Sequence, residues 1–220
     1  MFMIKAFIFD LDGTLIDSEI LWCKAIERFI AGHGLPVTEA YTNDLVFGRA
    51  WSEIVARMKA DYPSIREDIN TIERESRRQY ELLRGAGDIR IPGSVCLLDK
   101  LGQRHPVAIV SGSPRQQIAE AITMMGVGER LQFYLGSEDY EFGKPDPTCF
   151  LMAAREFDVA PGECLVFEDS TAGVRAARAA GMRCVALQRY SRSTQDLSAA
   201  DEILCDLAQF NPAAYGISLG

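Results

Sequence analysis

Long apolar runs, clustered cysteines and an excess of positive charge are all missing from this sequence. No stretch approaches the roughly 20 apolar residues that a membrane-spanning helix needs. The opening run, Met1 to Phe9, is too short for a signal-peptide core with its cleavage site, and Asp10 and Asp12 break it off. Only 23 Lys and Arg stand against 31 Asp and Glu, a net charge of −8. Such a field repels a phosphate backbone and an anionic bilayer alike, so neither nucleic acid nor membrane is expected as a partner. A small phosphorylated ligand remains open, because a local cation or metal inverts the potential within a site. The six cysteines, Cys23, Cys96, Cys149, Cys164, Cys184 and Cys205, include no C-x-x-C pair. Several sit in apolar segments such as Cys164-Leu165-Val166-Phe167, which predicts buried free thiols, a reducing compartment and a cytoplasmic protein. The two histidines, His33 between glycines and His105 before Pro106, fall in turns and suggest no catalysis.

What is present is the composition of an ordinary globular chain, 48% hydrophobic and 25% charged over 220 residues. That length suits one domain, or one carrying an insertion. Apolar runs of strand length recur at Ile4–Phe9, Val107–Val110, Phe133–Leu135, Cys164–Phe167 and Met182–Leu187, with helix-length segments between most of them. Runs apolar on both faces predict a parallel sheet covered by helices, a doubly wound, Rossmann-like α/β core. Helix starts are signalled by Ser113-Pro114-Arg115-Gln116, with Ser113 as N-cap, and by Asp146-Pro147 ahead of Phe150–Phe157. Thr171–Ala180 is Ala-rich and stops at Gly181. From Ser18 to about Gly87 the pattern is helical throughout, with Ile20, Leu21, Ala25, Ile26 and Phe29 at helical spacing. Gly85-Ala86-Gly87 and Ile91-Pro92-Gly93 read as the linker back. The expected organisation is a catalytic core of residues 1–17 and 88–220 with a helical insertion over 18–87.

Asp10 and Asp12 are expected to close the first strand, into which Phe7-Ile8-Phe9 leads, with Gly13 and Thr14 behind them. Residues two apart on a strand share a face, so both carboxylates can enter one pocket at the sheet's carboxyl edge, where open α/β sheets bind ligands. Alone, Asp-x-Asp-Gly also fits a solvated turn, and a buried strand leading straight into it argues against that. Glu168 and Asp169 end another apolar run and can meet Asp10 at the same edge; they equally fit a helix N-cap ahead of Ser170 and Thr171.

The string Phe9-Asp10-Leu11-Asp12-Gly13-Thr14-Leu15-Ile16-Asp17-Ser18 closely resembles the first motif of the haloacid-dehalogenase-like hydrolases. Val110-Ser111-Gly112-Ser113 resembles the second, Gly143-Lys144-Pro145-Asp146-Pro147 the third and Phe167-Glu168-Asp169-Ser170 the fourth, in the family's order and up to about Leu187. The helical insertion resembles the cap of the subfamily with phosphoglycolate phosphatase and β-phosphoglucomutase. The resemblance implies an enzyme in which Asp10 attacks phosphorus to form an aspartyl-phosphate. Asp12 would act as general acid, then base. Ser111, the N–H of Gly112 and Lys144 would bind the phosphoryl oxygens; Ser111 taken alone could be a capping hydroxyl. Asp10, the Asp12 carbonyl, Asp169 and Glu168, directly or through water, would hold Mg²⁺, which a cluster of carboxylates facing a phosphate dianion needs. Arg49 is a candidate substrate contact from the cap, against a solvated arginine, whereas Trp51 reads as cap packing.

The implied function is a Mg²⁺-dependent phosphatase acting on a small phosphorylated metabolite such as a sugar phosphate, as a monomer or weak dimer. A phosphomutase is the alternative, and a non-enzymatic regulator a further one. A dehalogenase of this family would lack Asp12. Two departures favour water over a sugar hydroxyl as acceptor. Trp22 stands where the mutases have a histidine that withholds the acid–base group, and Ser76 aligns with their cap lysine.

Overall fold

The computed structural model describes residues 3–47, 49, 51–84, 87–189 and 195–217. They form two compact units: one runs up to Ile16 and resumes at Arg90, the other spans Asp17 to Ile89. The first unit is built on six parallel strands, β1 (Ala6–Phe9), β2 (Val107–Val110), β3 (Phe133–Leu135), β4 (Cys164–Glu168), β5 (Arg183–Leu187) and β6 (Glu202–Leu204), in the order β3-β2-β1-β4-β5-β6. The second unit holds α1 (Ser18–Gly32), α2 (Glu39–Val46), α3 (Trp51–Asp61) and α4 (Ile69–Arg84). The first unit's helices are α5 (Pro92–Gly102), α6 (Arg115–Met125), α7 (Thr148–Glu156) and α8 (Thr171–Ala179). The doubly wound α/β class expected from the sequence is the fold observed.

Each residue of β1 is fully buried, as a central strand covered on both faces requires. Ala6 and Ile8 join Phe150 of α7 and Val174 of α8 in one cluster. The side chains of opposite parity go to the other face, where Phe9 stacks on Phe167 at 4.5 Å and Phe167 meets Phe210 edge-on at 5.1 Å. Burying each of these rings is worth about 1.5–3 kcal/mol. The strand is thereby clamped from both sides at the point where Asp10 begins.

Several expectations need correction. Pro92-Gly93 is the first turn of α5, with Pro at the first helical position, not a linker. A Cβ at Gly93 would displace the Asp206 carboxylate. Of the other linker glycines, Gly85 and the neighbouring Ala86 lie outside the described residues. Ser113 does not cap α6: Pro114 is the cap residue, and the helix begins at Arg115, whose N–H donates to the Glu138 carboxylate at 3.2 and 2.9 Å. Pro147 likewise, and not Asp146, is the cap residue of α7, although Asp146 accepts the Thr148 N–H at 2.9 Å from one residue further out. Four cysteines are buried free thiols, but Cys96 and Cys205 are exposed. Among the described residues no helix is long and apolar enough to cross a membrane.

The second unit packs around Ile26, Ile30, Leu45, Val55, Met58 and Ile72, drawn from all four helices. Trp22 of α1 stacks on Tyr80 of α4 at 4.5 Å, with the Arg77 guanidinium 5.7 Å from the indole centroid.

Candidate active site

β1 lies between β2 and β4, and all three end on the same edge of the sheet. The loops leaving them carry Asp10, Ser111 and Asp169, and Glu168 is the last residue of β4. The Asp10 N–H donates to the Phe167 carbonyl at 2.9 Å, which extends the β1–β4 ladder by one residue and fixes the root of the carboxylate. Asp12 is not on the strand, so the two-residue alternation is not what gathers the pair. A tight loop does so instead: Leu15 and Ile16 donate to the Leu11 carbonyl at 2.8 and 3.0 Å, and Gly13 donates to Ile16 at 2.8 Å. Gly13 turns this loop at φ 84°, and a Cβ there would overlap the Asp169 carboxylate. Thr14, buried, donates its hydroxyl to Asp169 Oδ1 at 3.2 Å.

Lys144 reaches the centre from the loop before α7. Its ammonium donates to Asp10 Oδ1 at 2.6 Å, to Glu168 Oε1 at 2.7 Å and to the Val110 carbonyl at 3.0 Å. All three N–H donors are used. Burial alone would lower the lysine pKa, but Asp10 and Glu168 outweigh it and hold the ammonium well above its ordinary range. The Asp10 carboxyl is pushed well above the usual carboxylate range, by burial first, against the pull of Lys144 and with help from Glu168 and Asp12. Burial also pushes Asp169 up, with Glu168 and Asp10 adding. One ammonium therefore leaves the cluster short of positive charge. Asp10, Glu168 and Asp169 each bring an oxygen within 4.8 Å of the others, a hard donor set able to hold a metal ion.

Glu168 shares Lys144 with Asp10, whereas the N-cap of α8 is Ser170 and neither Glu168 nor Asp169. Glu168 Oε1 takes Lys144, and its Oε2 accepts from the N–H groups of Asp169 and Ser170 at 2.9 and 3.0 Å and from the Ser170 hydroxyl at 2.9 Å. Ser170 in turn caps α8 through the Gly173 N–H at 3.0 Å. Gly173 is obligatory for a second reason, since a Cβ there would overlap the Glu168 carboxyl group.

Ser111, buried, lies at the end of β2 with its hydroxyl 3.4 Å from Asp12 Oδ2, and Tyr140 donates to its carbonyl at 2.7 Å. Gly112 is exposed beside it, with no bulk within 4 Å of where a Cβ would stand. Ser113 donates to Asp12 Oδ2 at 2.6 Å. No local pattern signals this contact, because Ser before Pro reads as a helix cap. Tyr140 carries no signal in the sequence either, and Thr14 only its place beside the paired aspartates. Arg49 belongs to the second unit, where with Trp22, Trp51, Glu73 and Arg77 it lines a pocket of about 250 Å³. The Arg49 Nη1 and Trp51 Nε1 atoms are buried without a hydrogen-bond partner among the described residues.

Known proteins resemble this chain in sequence and in fold. A family model described as haloacid dehalogenase-like hydrolase matches residues 4–181. Validoxylamine A 7′-phosphate phosphatase of Streptomyces hygroscopicus subsp. limoneus is 32% identical over 94% of this chain and 96% of its own. Hexitol phosphatase A of Escherichia coli is 29% identical over 93% of this chain and 92% of its own. The crystal structure of CbbY from Rhodobacter sphaeroides in complex with phosphate superposes with a TM-score of 0.67 at 26% identity, covering 94% of this chain and 96% of that one.

Proposed function

Because the chain belongs to the haloacid dehalogenase-like hydrolases and its relatives include named phosphatases, we propose that it is a Mg²⁺-dependent phosphatase of a sugar phosphate or similar phosphomonoester, working through a phosphorylated Asp10. The observation that carries this reading is the Lys144 ammonium bridging Asp10 and Glu168 beside Asp169, at the edge where Asp12 and Ser111 also end.

In the first step an Asp10 carboxylate oxygen bonds to phosphorus as the ester P–O bond breaks, and Asp12 gives its proton to the leaving oxygen. In the second, Asp12 takes a proton from water, the water oxygen bonds to phosphorus, and the acyl–phosphate bond breaks to free inorganic phosphate and Asp10. Lys144, already aimed at Asp10, balances charge on the phosphoryl oxygens, and Ser111 with the Gly112 N–H binds them. A cation held by Asp10, Asp169, the Asp12 carbonyl and Glu168 would neutralise the cluster and the phosphate; Mg²⁺ is the hard ion that suits few carboxylates. Both Glu168 oxygens already accept hydrogen bonds, which favours its acting through water. The unpartnered Nη1 of Arg49 supports that residue as a substrate contact.

Transfer to water rather than to a sugar is supported by Trp22 and Ser76. The Trp22 ring is packed against Tyr80 and offers only an indole N–H, and Ser76 is fully buried in α4. A panel of phosphorylated metabolites assayed with Mg²⁺ for phosphate release tests the proposal. Asp10→Asn, nearly isosteric, should abolish release with the fold intact. Normal turnover by that variant would remove the nucleophile, and glucose 6-phosphate as the main product from β-glucose 1-phosphate would make the enzyme a mutase.

A further inference from the structure

Serine directly before proline at a helix start ordinarily spends its oxygen on the first-turn N–H groups. Ser113 does not, because Glu138, from the segment after β3, accepts the Arg115 N–H in its place. The Ser113 hydroxyl is thereby released, and it donates to Asp12 Oδ2 at 2.6 Å. Its backbone is held at both ends: its N–H donates to the Ser111 hydroxyl oxygen at 3.0 Å, and its carbonyl accepts the Ser137 N–H at 3.1 Å. The hydroxyl is therefore fixed relative to the ends of β2 and β3, whereas Asp12 sits on a loop without a strand of its own to orient it.

We propose that Ser113 is the positioning residue for Asp12: by donating to Oδ2 it holds the carboxyl in one rotamer and leaves Oδ1 to exchange the proton with the leaving oxygen and with water. This rests on the reading of Asp12 as the acid–base group. A carboxyl free to rotate would present a proton in the wrong direction for much of its time, and misplacement of a catalytic group is costly even when small. The competing account is a structural tie between the loops after β1 and β2, with no bearing on proton transfer.

The two accounts separate on leaving groups. p-Nitrophenolate departs with little protonation, phenolate needs more, and benzyl alkoxide most, so kcat/KM across p-nitrophenyl, phenyl and benzyl phosphate reads how well the acid is aimed. Asp12→Asn supplies the reference for a missing acid. Ser113→Ala, and the near-isosteric weak donor Ser113→Cys, should both lower kcat/KM for benzyl phosphate by roughly ten- to a hundredfold, the value of one hydrogen bond to a charged group. The loss for p-nitrophenyl phosphate should be only a few-fold. Ser113→Thr, which keeps the hydroxyl, should restore most of the benzyl rate. An equal loss on all three esters, or none, in both Ser113 variants while Asp12→Asn still discriminates overturns the positioning role and leaves Asp12's role standing. Failure of Asp12→Asn itself to discriminate would remove the acid–base reading and this inference with it.

Discussion

At the scale of single residues, the site depends on two glycines as much as on its carboxylates. Gly13 gives the Asp169 carboxylate its room and Gly173 gives room to Glu168, so neither acid can keep its place opposite a Cβ. Gly173→Ala should therefore cost at least about 1–3 kcal/mol as overpacking and push Glu168 off Lys144. Chemical denaturation and phosphate release should fall together in that variant; a stable, fully active Gly173→Ala protein would show that Glu168 need not stay against the helix. Asp10, Asp12, Ser111, Lys144 and Asp169 could be singled out in the sequence because their residue types and order follow a motif pattern, and the structure gathers them at one edge of the sheet. Ser113 could not, since its use depends on Glu138 taking over the cap, a contact 23 or more residues away that no local pattern encodes.

At the scale of elements, β1 was the most readable piece, because a strand buried on both faces must be apolar throughout. β6 is illegible by comparison: it has only three residues, lies at the sheet edge and exposes Ile203, so it has neither length nor alternation to betray it. α5 is hidden because Pro-Gly reads as a turn, and the carboxylate that a Cβ at Gly93 would displace belongs to Asp206, far along the chain. The end of α1 has a pH-dependent fastening. His33 faces the Phe29 carbonyl through Nδ1 at 2.9 Å and Glu67 through Nε2 at 2.8 Å, so both ring nitrogens meet acceptors and the doubly protonated ring satisfies both. The Glu67 hydrogen bond, then Phe29, raises the His33 pKa above its ordinary 6.5. A histidine pKa raised on folding gives stability that is complete below 6.5 and is lost as pH climbs through the folded value. Thermal melts from pH 6 to 8 should thus show a decline that His33→Gln flattens. Identical slopes in the two proteins would mean the ring contributes nothing through its charge.

At the scale of the whole molecule, a net charge of −8 and a buried acidic cluster in the first unit point the same way: folding this chain gathers carboxylates at a cost that a cation offsets. EDTA should silence phosphate release and Mg²⁺ restore it. Mg²⁺ at about 100 times its dissociation constant should add about 2.7 kcal/mol of stability. Undiminished activity in excess EDTA would take the metal out of the mechanism. The division into an α/β core and a helical segment could be read from the switch in hydrophobic period, but the chemistry of the second unit could not, because its pocket is formed by residues scattered from Glu19 to Arg77. The chain's two tryptophans, Trp22 and Trp51, both lie in that unit, with ring centroids 5.6 Å apart. Tryptophan emission excited at the red edge therefore comes from the helical unit alone, and the α/β unit is silent at that wavelength. Emission and far-ultraviolet circular dichroism recorded in the same denaturant series track, respectively, one part and the whole, so the protein carries its own label for deciding whether the helices let go before the sheet does.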